Sequence, residues 1–587
     1  MDQRTRTLVS NVLVIGSGAA GLRAAIAAHQ AGSDVVVVGK RSRKDAHTVL
    51  AAGGINAALG TVDPEDSWQQ HFADTLREGY FLSDPRVVEI MAREAPRAVF
   101  ELAEWGAPFA RRADGSLDQR FFGAHTYRRT CYAGDYTGRA IQYALADKVD
   151  ELDIPVVEDQ YITRLLVARD DAGHRTCFGA YGFDLNSGQR TIFQADAVIL
   201  AAGGHTRLWR RSSSRRDENT GDGMALALQA GAPLADMELV QFHPTGMVVP
   251  EEWAGTLVTE AVRGEGGHLK NADGERFMAR YDPERMELST RDRVALANYR
   301  EILEGRGTEH GGVYLDISHR DKDYILEKLP RMYRQFLESS MLDISRQPME
   351  VAPTAHYSMG GVVVDPETHA TEVEGLYAAG EVTTGLHGAN RLGGNSLAET
   401  VVFGRRAGEA AAAHSEGLSV QLRSREVVHA AAEDLDGVIR EGEEFARPVQ
   451  RALRNTMWEH CGVVRSEDGL KQGLGKLAEL QERAKQVDVR PSSEGWGDLA
   501  HALDLRASLL TAESSLLGAV ERRETRGAHN RSDYPKLDRS LTRNVVIRQG
   551  DDGGLTIAWH DVPAVPEELA DWAGEAGDLD VEGRLLE

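Results

Sequence analysis

Residues 12–32 read VLVIGSGAAGLRAAIAAHQAG, and this stretch decides the fold. Its first four residues are apolar and mostly β-branched, which is typical of a parallel strand buried on both faces. Three glycines follow in the spacing G-x-G-x-x-G, and an alanine-rich helix then runs to Gly32. Such glycines permit a tight turn, close approach of a pyrophosphate and close packing of the helix, whose N-terminus favours phosphate. The stretch therefore predicts a dinucleotide site that includes Gly16, Ser17, Gly18, Ala19, Ala20 and Gly21.

The residues after the second strand indicate which dinucleotide is bound. Val35–Val38 is a further buried strand and completes a strand–turn–helix–strand unit. An NAD site places an Asp or Glu after this strand to bind ribose, whereas Gly39 and Lys40 stand there in this chain. The departure argues against an ordinary NAD site and favours FAD, with Lys40 among its contacts.

Two later strands extend this domain, and the sequence between them interrupts it. Ala197–Leu200 and Leu376–Ala379 both read as buried strands that end at glycine, while polar helices and loops are predicted between Met247 and Pro353. The expected class is α/β, with a doubly wound, Rossmann-like FAD-binding domain interrupted by a capping domain and followed by a helical domain and a small C-terminal region. The predicted boundaries are 1–246 and 355–420 for the FAD-binding domain, 247–354 for the cap, 421–540 for the helical domain and 541–587 for the C-terminal region.

The pattern becomes helical after about residue 420. Leu470, Leu474 and Leu477 are spaced as on one face of an amphipathic helix, and similar spacing recurs around Leu505–Leu516. Asn544–Ile547 reads as a short strand. The chain then ends in an acidic tail with Gly and Pro, which we expect to be partly disordered.

The charge of the chain limits its partners. The 587 residues carry a formal net charge of −24. Such a surface repels the phosphate backbone of nucleic acids, so no nucleic-acid partner is expected. An anionic substrate would need a local cluster of Arg and His inside a cleft.

Cysteines and hydropathy bear on compartment and membrane. The three cysteines show no spacing typical of a disulfide or metal site, so no metal is predicted, and reduced thiols fit the cytoplasm. The N-terminus lacks a signal-peptide layout, and no run of about 18 apolar residues occurs. We therefore expect no direct membrane span, and any membrane association through a partner.

Six motifs carry a family resemblance. The segment AHTVLAAGGI, residues 46–55, is followed in order by five others: QFHPTG (241–246), TEAVRGEG (259–266), STRD (289–292), AHYSMGG (355–361) and GANRLGGNSL (388–397). Together they resemble the flavoprotein subunits of succinate dehydrogenase and fumarate reductase, which belong to the FAD-dependent oxidoreductase 2 family. This resemblance covers almost the whole chain.

The resemblance implies a cofactor and its contacts. In the family, FAD is attached covalently through a histidine, which raises the flavin potential enough to accept electrons from succinate. By its motif that histidine is His47 here. The other contacts that the resemblance implies are Thr48, Gly53, Gly54, Asp222, Glu381, Ser396 and Leu397.

The resemblance also implies a substrate site. His243, Thr259, His356 and Arg391 would bind the two carboxylates of succinate or fumarate, and a guanidinium can clamp a carboxylate with two hydrogen bonds. One substrate carbon gives hydride to the flavin while the next loses a proton, which in the family goes to the arginine matched by Arg291. Glu260 and Arg263 resemble the relay that takes the proton onward.

Two alternatives remain open at this stage. L-aspartate oxidase shares the fold and most motifs, but it holds FAD non-covalently and places a glutamate where this chain has Phe122, which suits a substrate without an ammonium group. The other is a flavin-binding or assembly protein without catalysis, which the complete set of motif residues disfavours.

The resemblance implies partners that the chain itself does not identify. No iron–sulfur ligand set is present, so electrons would leave first through an iron–sulfur subunit, then through a membrane-anchor subunit that handles quinone. The expected location is the cytoplasmic face of the inner membrane, peripheral through these two partners. The same residues serve succinate oxidation and fumarate reduction, so the direction stays open.

Overall fold

A computed structural model describes residues 5–491 and 496–574. The strands in these ranges are β1 (Arg6–Ile15), β2 (Val35–Val38), β3 (Ile55–Asn56), β4 (Gln119–Arg120), β5 (Thr130–Cys131), β6 (Val156–Val157), β7 (Gln160–Arg169), β8 (Arg175–Asp184), β9 (Arg190–Leu200), β10 (Leu234–Ala235), β11 (Val240–Met247), β12 (His268–Lys270), β13 (Val313–Asp316), β14 (Met349–Ser358), β15 (Gly361–Val362), β16 (Leu376–Ala378), β17 (Arg543–Gln549) and β18 (Leu555–Asp561).

The α-helices in the same ranges are α1 (Ala19–Gln30), α2 (Trp68–Glu78), α3 (Pro85–Glu104), α4 (Thr137–Glu151), α5 (Asp222–Ala230), α6 (Ala261–Gly264), α7 (Met278–Tyr281), α8 (Arg291–Leu303), α9 (Lys322–Lys328), α10 (Pro330–Ser340), α11 (Asn395–Gly417), α12 (Arg425–Val438), α13 (Ala446–His460), α14 (Glu467–Ala484), α15 (Gly497–Glu521) and α16 (Ala570–Ala573). Across the described ranges, none of the helices has both the length and the apolar character needed to cross a bilayer.

The central sheet confirms the predicted α/β class. Its order is β6-β2-β1-β9-β8-β7, and β16 also pairs with the carboxyl end of β9. Strands β6, β2, β1, β9 and β16 are mutually parallel, and their registers bring Ile15, Val38, Leu200 and Ala378 to one edge. Helices α1 and α11 bury their small residues in the hydrophobic core that covers one face of this sheet. Ligands bind at the carboxyl ends of such strands, so this edge is where the site is expected.

The sheet is less uniform than a doubly wound domain predicts. Strands β7 and β8 extend it in antiparallel fashion beyond β9. A second, four-stranded sheet has the order β15-β10-β17-β18, so the predicted strand at Asn544–Ile547 lies inside β17 and ties the C-terminal region to the FAD-binding domain. The tail predicted to be disordered falls mainly on residues 575–587, outside the described residues.

The predicted cap contains a sheet that its polar sequence does not suggest. Strands β11, β14, β13 and β12 pair in antiparallel order around a separate hydrophobic core that includes Met247, Leu315 and Val351. The prediction of polar helices and loops is therefore incomplete for residues 247–353. The predicted boundaries at 246/247 and 354/355 fall within β11 and β14, the paired strands that enter and leave the cap.

The helical region packs as its periodicity predicts. Leu470 and Leu477 of α14 are buried with Leu505, Leu509 and Leu516 of α15 in one core. Beyond α15, the buried guanidinium of Arg522 forms ion pairs with Asp236 (3.1 Å), Glu238 (2.6 Å) and Glu524 (3.2 Å). Because removing one member would strand buried charge, these pairs fix the helical region to the FAD-binding domain.

Gly21 illustrates how tightly helix α1 lies on the sheet. A Cβ atom there would stand 1.9 Å from the carbonyl oxygen of Gly16. We predict that Gly21→Ala costs about 3 kcal/mol or more by overpacking and weakens FAD binding, since the turn must open. Thermal unfolding and FAD titration would measure both effects.

A matched control is Gly475→Ala, in the interior of α14, where a Cβ atom would meet nothing within 4 Å. That change should raise stability by about 1 kcal/mol through helix propensity. Wild-type unfolding and FAD affinity in Gly21→Ala would show that the close approach is not required.

Candidate functional site

One cavity runs along the carboxyl edge of the central sheet and reaches under the cap. The predicted residues that line it are Gly16, Ser17, Gly18, Ala19, Ala20, Lys40, His47, Thr48, Gly53, Gly54, Phe122, Asp222, His243, Thr259, Glu260, Arg291, His356, Glu381, Arg391, Ser396 and Leu397. Two predicted residues do not line it. Gly21 serves the packing of α1, and Arg263 lies behind Glu260.

The glycine turn forms one end of the cavity and fits a pyrophosphate. Gly16 has φ +119°, and a Cβ atom there would stand 2.0 Å from the carbonyl oxygen of Ala201, so glycine is required. Helix α1 begins after Gly18 with no side-chain cap. In the first turn, the Ala19 amide donates to the hydroxyl of Thr48 (3.1 Å). The turn therefore presents backbone N–H groups and the positive end of the helix dipole to the cavity.

Lys40 occupies the position where an acid would bind ribose in an NAD site. Its ammonium contacts Asp222 (3.0 Å) and Asp504 (2.8 Å). Burial lowers the pKa of Lys40, but the two carboxylates outweigh burial and raise it. Lys40 is therefore charged at neutral pH and lies between two carboxylates. Asp504 comes from α15 of the helical region, so this contact was not predicted.

Glu381 closes the sheet edge after β16. It accepts hydrogen bonds from the Ser358 amide (3.1 Å) and from the side chain of Asn219 (3.2 Å). Burial raises the pKa of this carboxyl. The bare glycine turn, the free helix N-terminus and this terminal acid match the needs of an extended dinucleotide, so the residues present fit FAD.

His47 begins a short 3-10 helix, His47–Leu50, at the wall of the cavity. Its Nδ1 contacts Glu218 Oε2 at 3.0 Å, and its side chain is 29% exposed. Burial lowers the pKa of His47, but the hydrogen bond and charge of Glu218 outweigh burial and raise it. Glu218 was not predicted as a site residue.

The other end of the cavity is cationic. The rings of His243 and His356 meet edge to face with centroids 5.2 Å apart, and Thr259 is buried beside them. Burial, and then the charges of nearby arginines, lower the pKa of both histidines well below its usual range, so both rings are neutral at neutral pH. His243 Nδ1 lies 3.2 Å from the Thr245 amide nitrogen and 3.3 Å from the Thr245 carbonyl oxygen, so Thr245 holds this side of the ring.

Arg391 and Arg291 face this end from two sides. Arg391 donates to Ser396 Oγ (3.1 Å) and lies 4.5 Å from the centre of the Tyr357 ring. Burial, together with the charge of Arg291, lowers the pKa of the Arg391 guanidinium to about 9, so it remains charged at neutral pH. Ser396, predicted to contact FAD, thus also holds Arg391.

Arg291, Glu260 and Arg263 form a chain of ion pairs. Arg291 Nε donates to Glu260 Oε2 (2.9 Å), and Arg263 Nη2 lies 3.6 Å from the same oxygen. Burial raises the pKa of Glu260, but Arg291 and Arg263 outweigh burial and lower it to about 2. Burial lowers the pKa of Arg263. The predicted group of three is therefore contiguous, with Arg291 at the cavity and Arg263 in the protein interior.

Gln241 is the main site residue that sequence reasoning did not assign. Its Oε1 accepts hydrogen bonds from Arg291 (3.2 Å) and Arg391 (3.0 Å), while its amide nitrogen donates to Asn390 (2.8 Å). It stands two residues before His243 on β11, and that period of two was a usable signal. Glu218 and Asp504 gave no such signal, because they lie 171 and 464 positions from their partners.

The remaining predicted residues shape the walls. Phe122 is 6% exposed and lies against the backbone of Gly53, where a Cβ atom would stand 2.8 Å from the ring. Gly54 has φ +153° and packs on Thr130. An aromatic side chain thus occupies the wall between the histidine end and the 46–55 segment.

Comparisons with known proteins cover most of the chain. A family model described as "FAD binding domain" matches residues 11–397, and one described as "Fumarate reductase flavoprotein C-term" matches residues 450–569. The chain is 46% identical to one of the subunits of the fumarate reductase (CoM/CoB) of Methanothermobacter marburgensis, over 92% of this chain and 97% of that protein. It is 36% identical to the "Succinate dehydrogenase flavoprotein subunit" of Rickettsia conorii, over 95% and 97%.

Solved structures agree with these matches. A chain of Mycobacterium smegmatis Sdh1 in complex with UQ1 superposes with a TM-score of 0.86 at 41% identity and covers 96% of each chain. A variant of the E. coli quinol fumarate reductase superposes with a TM-score of 0.88 at 34% identity, over 97% of this chain and 100% of that one.

The shared acceptor at Gln241 yields a prediction about stability. Gln241→Met keeps the approximate volume but leaves the two guanidinium groups facing each other without their common acceptor. We expect a loss of about 1–3 kcal/mol, recovered in part by a bound dicarboxylate, which would replace the acceptor with negative charge. Thermal unfolding with and without malonate would measure this.

The control is Gln450→Met, which removes a buried amide that donates to the His501 carbonyl and has no hydrogen bond to a guanidinium among the described residues. It should lose stability without any extra gain from malonate. Equal malonate effects in both variants would contradict the role of Gln241.

Proposed function

This chain belongs to the flavoprotein subunits of succinate dehydrogenase and fumarate reductase, and we propose that it interconverts succinate and fumarate by hydride transfer to and from FAD. As a member of this family it is an FAD-dependent oxidoreductase. The observation that carries the reaction is a single cavity with a glycine turn at one end and the cluster of Arg391, His243, His356 and Thr259 at the other.

The cationic end suits a dianion. In a protein of net charge −24, it gathers two guanidinium groups with the ring and hydroxyl donors beside them. Arg391 binds one carboxylate through its planar fork, and neutral His243 and His356 offer donors without adding further repulsion. FAD, when bound, accepts or gives the hydride. The chain's own residues hold the dicarboxylate in line and keep water out.

Arg291 is the proposed acid and base for the proton on the carbon next to the hydride. Its guanidinium lines the cavity, and its Nε is already hydrogen-bonded to Glu260. Two further guanidinium groups lie close to it, because Arg391 shares the acceptor Gln241 with Arg291 and Arg263 shares the carboxylate of Glu260. Glu260 and then Arg263 continue the path, because the three groups are in contact.

His47 is the proposed point of covalent attachment. It lines the same cavity between the two ends, with Nδ1 engaged by Glu218 and no hydrogen bond at Nε2 among the described residues. A nitrogen left free in this way can bond to the flavin. The L-aspartate oxidase alternative is disfavoured, since Phe122 offers no carboxylate to an ammonium group.

The direction and partners complete the proposal. We take succinate oxidation as the main activity, with electrons passing to an iron–sulfur subunit, then to quinone in a membrane-anchor subunit. The chain would then be peripheral, on the cytoplasmic face of the inner membrane. The second candidate is fumarate reduction, which the 46% identity to part of a fumarate reductase favours. The potentials of the partner centres decide between the two.

Covalent attachment predicts that flavin stays with the protein after acid denaturation. Yellow fluorescence should migrate with the wild-type band on a denaturing gel. His47→Ser should bind FAD without the bond, keep part of its fumarate reduction and lose most succinate oxidation, because an unlinked flavin has a lower potential. Quantitative release of flavin from wild type by acid would exclude the bond.

The proton role predicts a separation of rate from affinity. Arg291→Ala should lower kcat by roughly 10³-fold, within the range for loss of a general acid or base, with little change in malonate affinity. Arg391→Ala should instead weaken malonate binding, and Glu260→Gln should resemble a milder Arg291 change. Rapid flavin bleaching by succinate beside malonate titration measures both. Near wild-type bleaching in Arg291→Ala would move the proton role elsewhere.

A further inference from the structure

Glu218 is a buried carboxylate beside the proposed attachment point, and the reaction described so far gives it no role. It lies in the loop that leads into helix α5, and only 7% of its side chain is exposed. Its Oε2 lies 3.0 Å from Nδ1 of His47. No other carboxylate forms an ion pair or hydrogen bond with His47 in the part of the chain that the structure describes.

Two arginines fix which oxygen of Glu218 faces the histidine. Arg215 Nη1 lies 3.3 Å from Oε1, and Arg41 Nε lies 3.4 Å from the same oxygen. Burial raises the pKa of Glu218, but His47 and the arginines outweigh burial and lower it. Glu218 is therefore ionised at neutral pH, with Oε1 paired and Oε2 free to accept from Nδ1.

We propose that Glu218 positions His47 for covalent attachment to FAD and stabilises the positive charge that the imidazole gains as the bond forms. This assignment rests on the covalent link proposed above. By accepting from Nδ1–H, the carboxylate selects the tautomer whose Nε2 holds a free lone pair. It also holds the ring plane, because a histidine with one nitrogen bonded to a fixed acceptor cannot flip without losing that bond.

The attachment step conserves atoms and electrons. A bond forms between Nε2 of His47 and the methyl carbon at position 8 of the flavin ring, and one C–H bond of that methyl breaks. The methyl proton passes to water, and its electron pair stays on the ring. The alkylated imidazole first keeps its Nδ1 proton in a hydrogen bond to Glu218 and then loses it to water. Fumarate, the oxidant in the proposed reaction, then takes two electrons and two protons and becomes succinate. In total, the methyl and the imidazole each lose one hydrogen, and fumarate gains two.

The pH dependence follows from the groups that face His47. These groups are Glu218, Glu381, Arg215 and His356. Glu218 raises the pKa of His47, so at low pH both ring nitrogens carry protons and Nε2 cannot react. Attachment should therefore slow as pH falls through the raised pKa of His47. Removing the carboxylate should move that midpoint to lower pH and also reduce the rate on the high-pH plateau.

The test follows attachment over time. Full-length protein produced under riboflavin limitation is mixed with FAD and fumarate between pH 6 and 9, and acid-stable flavin in the protein band is measured. Glu218→Gln should attach flavin at least roughly tenfold more slowly on the plateau, as when a carboxylate that orients a metal-binding histidine is removed, with its midpoint shifted to lower pH. Glu218→Asp keeps the charge but shortens the reach to Nδ1, and it should lose several-fold.

Asp45→Asn is the matched control. Asp45 pairs with the same two arginines, Arg41 (2.7 Å) and Arg215 (3.0 Å), but forms no hydrogen bond or ion pair with His47 in the described part of the chain. Its removal should leave the attachment rate within twofold of wild type. Fumarate reduction by a reduced dye confirms that each variant binds FAD and is folded.

The outcomes separate the two proposals. A wild-type rate and midpoint in Glu218→Gln, or a wild-type rate in Glu218→Asp, would overturn the role of Glu218 while leaving the covalent link intact. An equal loss in Asp45→Asn would also overturn it, because the effect would then belong to the arginines. A wild-type protein that binds FAD and reduces fumarate but never acquires acid-stable flavin would remove the link itself.

Discussion

Two guanidinium groups, one buried and one lining the cavity, share one amide oxygen, and the rest of the site depends on that arrangement. Arg291 and Arg391 both donate to Gln241 Oε1. At a separation of about 6 Å and an effective dielectric of about 20, two unit charges repel by about 3 kcal/mol. The fold tolerates this repulsion because Gln241 supplies a common acceptor and Glu260 a counter-charge. A dianion that enters the cavity reduces this repulsion. Part of its binding free energy therefore comes from an arrangement of charges that exists before it binds.

The acidic residues of the site do not cancel the positive field of the arginines at the carboxylate-binding end of the cavity. Glu260 pairs with Nε of Arg291, whereas Nη1 donates to the oxygen shared with Arg391, and Arg263 lies behind Glu260 in the interior. At the glycine-turn end, Lys40 is paired with Asp222 and Asp504. The cavity is therefore strongly positive at one end, whereas at the other the phosphate-binding groups are backbone N–H groups. The cationic end therefore suits a dicarboxylate, and the glycine-turn end suits the pyrophosphate of a dinucleotide.

The sequence predicted local structure well and long-range partners poorly. The strand–glycine–helix unit and the helical region follow from short periodic patterns, which local sequence determines, and both are confirmed. The cap sheet was missed because β12 and β13 are only three and four residues long and stand among polar residues. Asp504 and Glu218 were missed because a side chain's partner 464 or 171 residues away depends on tertiary packing. Gln241 belongs to the QFHPTG motif, but its role as a shared acceptor is visible only when the positions of Arg291 and Arg391 are known.

The histidines along the cavity are coupled through the same field. The pKa of His356 is lowered by burial, then by Arg391 and Arg291, and further by any positive charge on His47. Alkylation at Nε2 leaves Nδ1 able to take a proton, so a linked His47 can still carry a positive charge, which the carboxylate of Glu218 favours. That charge adds to those of Arg391 and Arg291 beside His356. Glu218 thus affects the carboxylate-binding end through the protonation of His47.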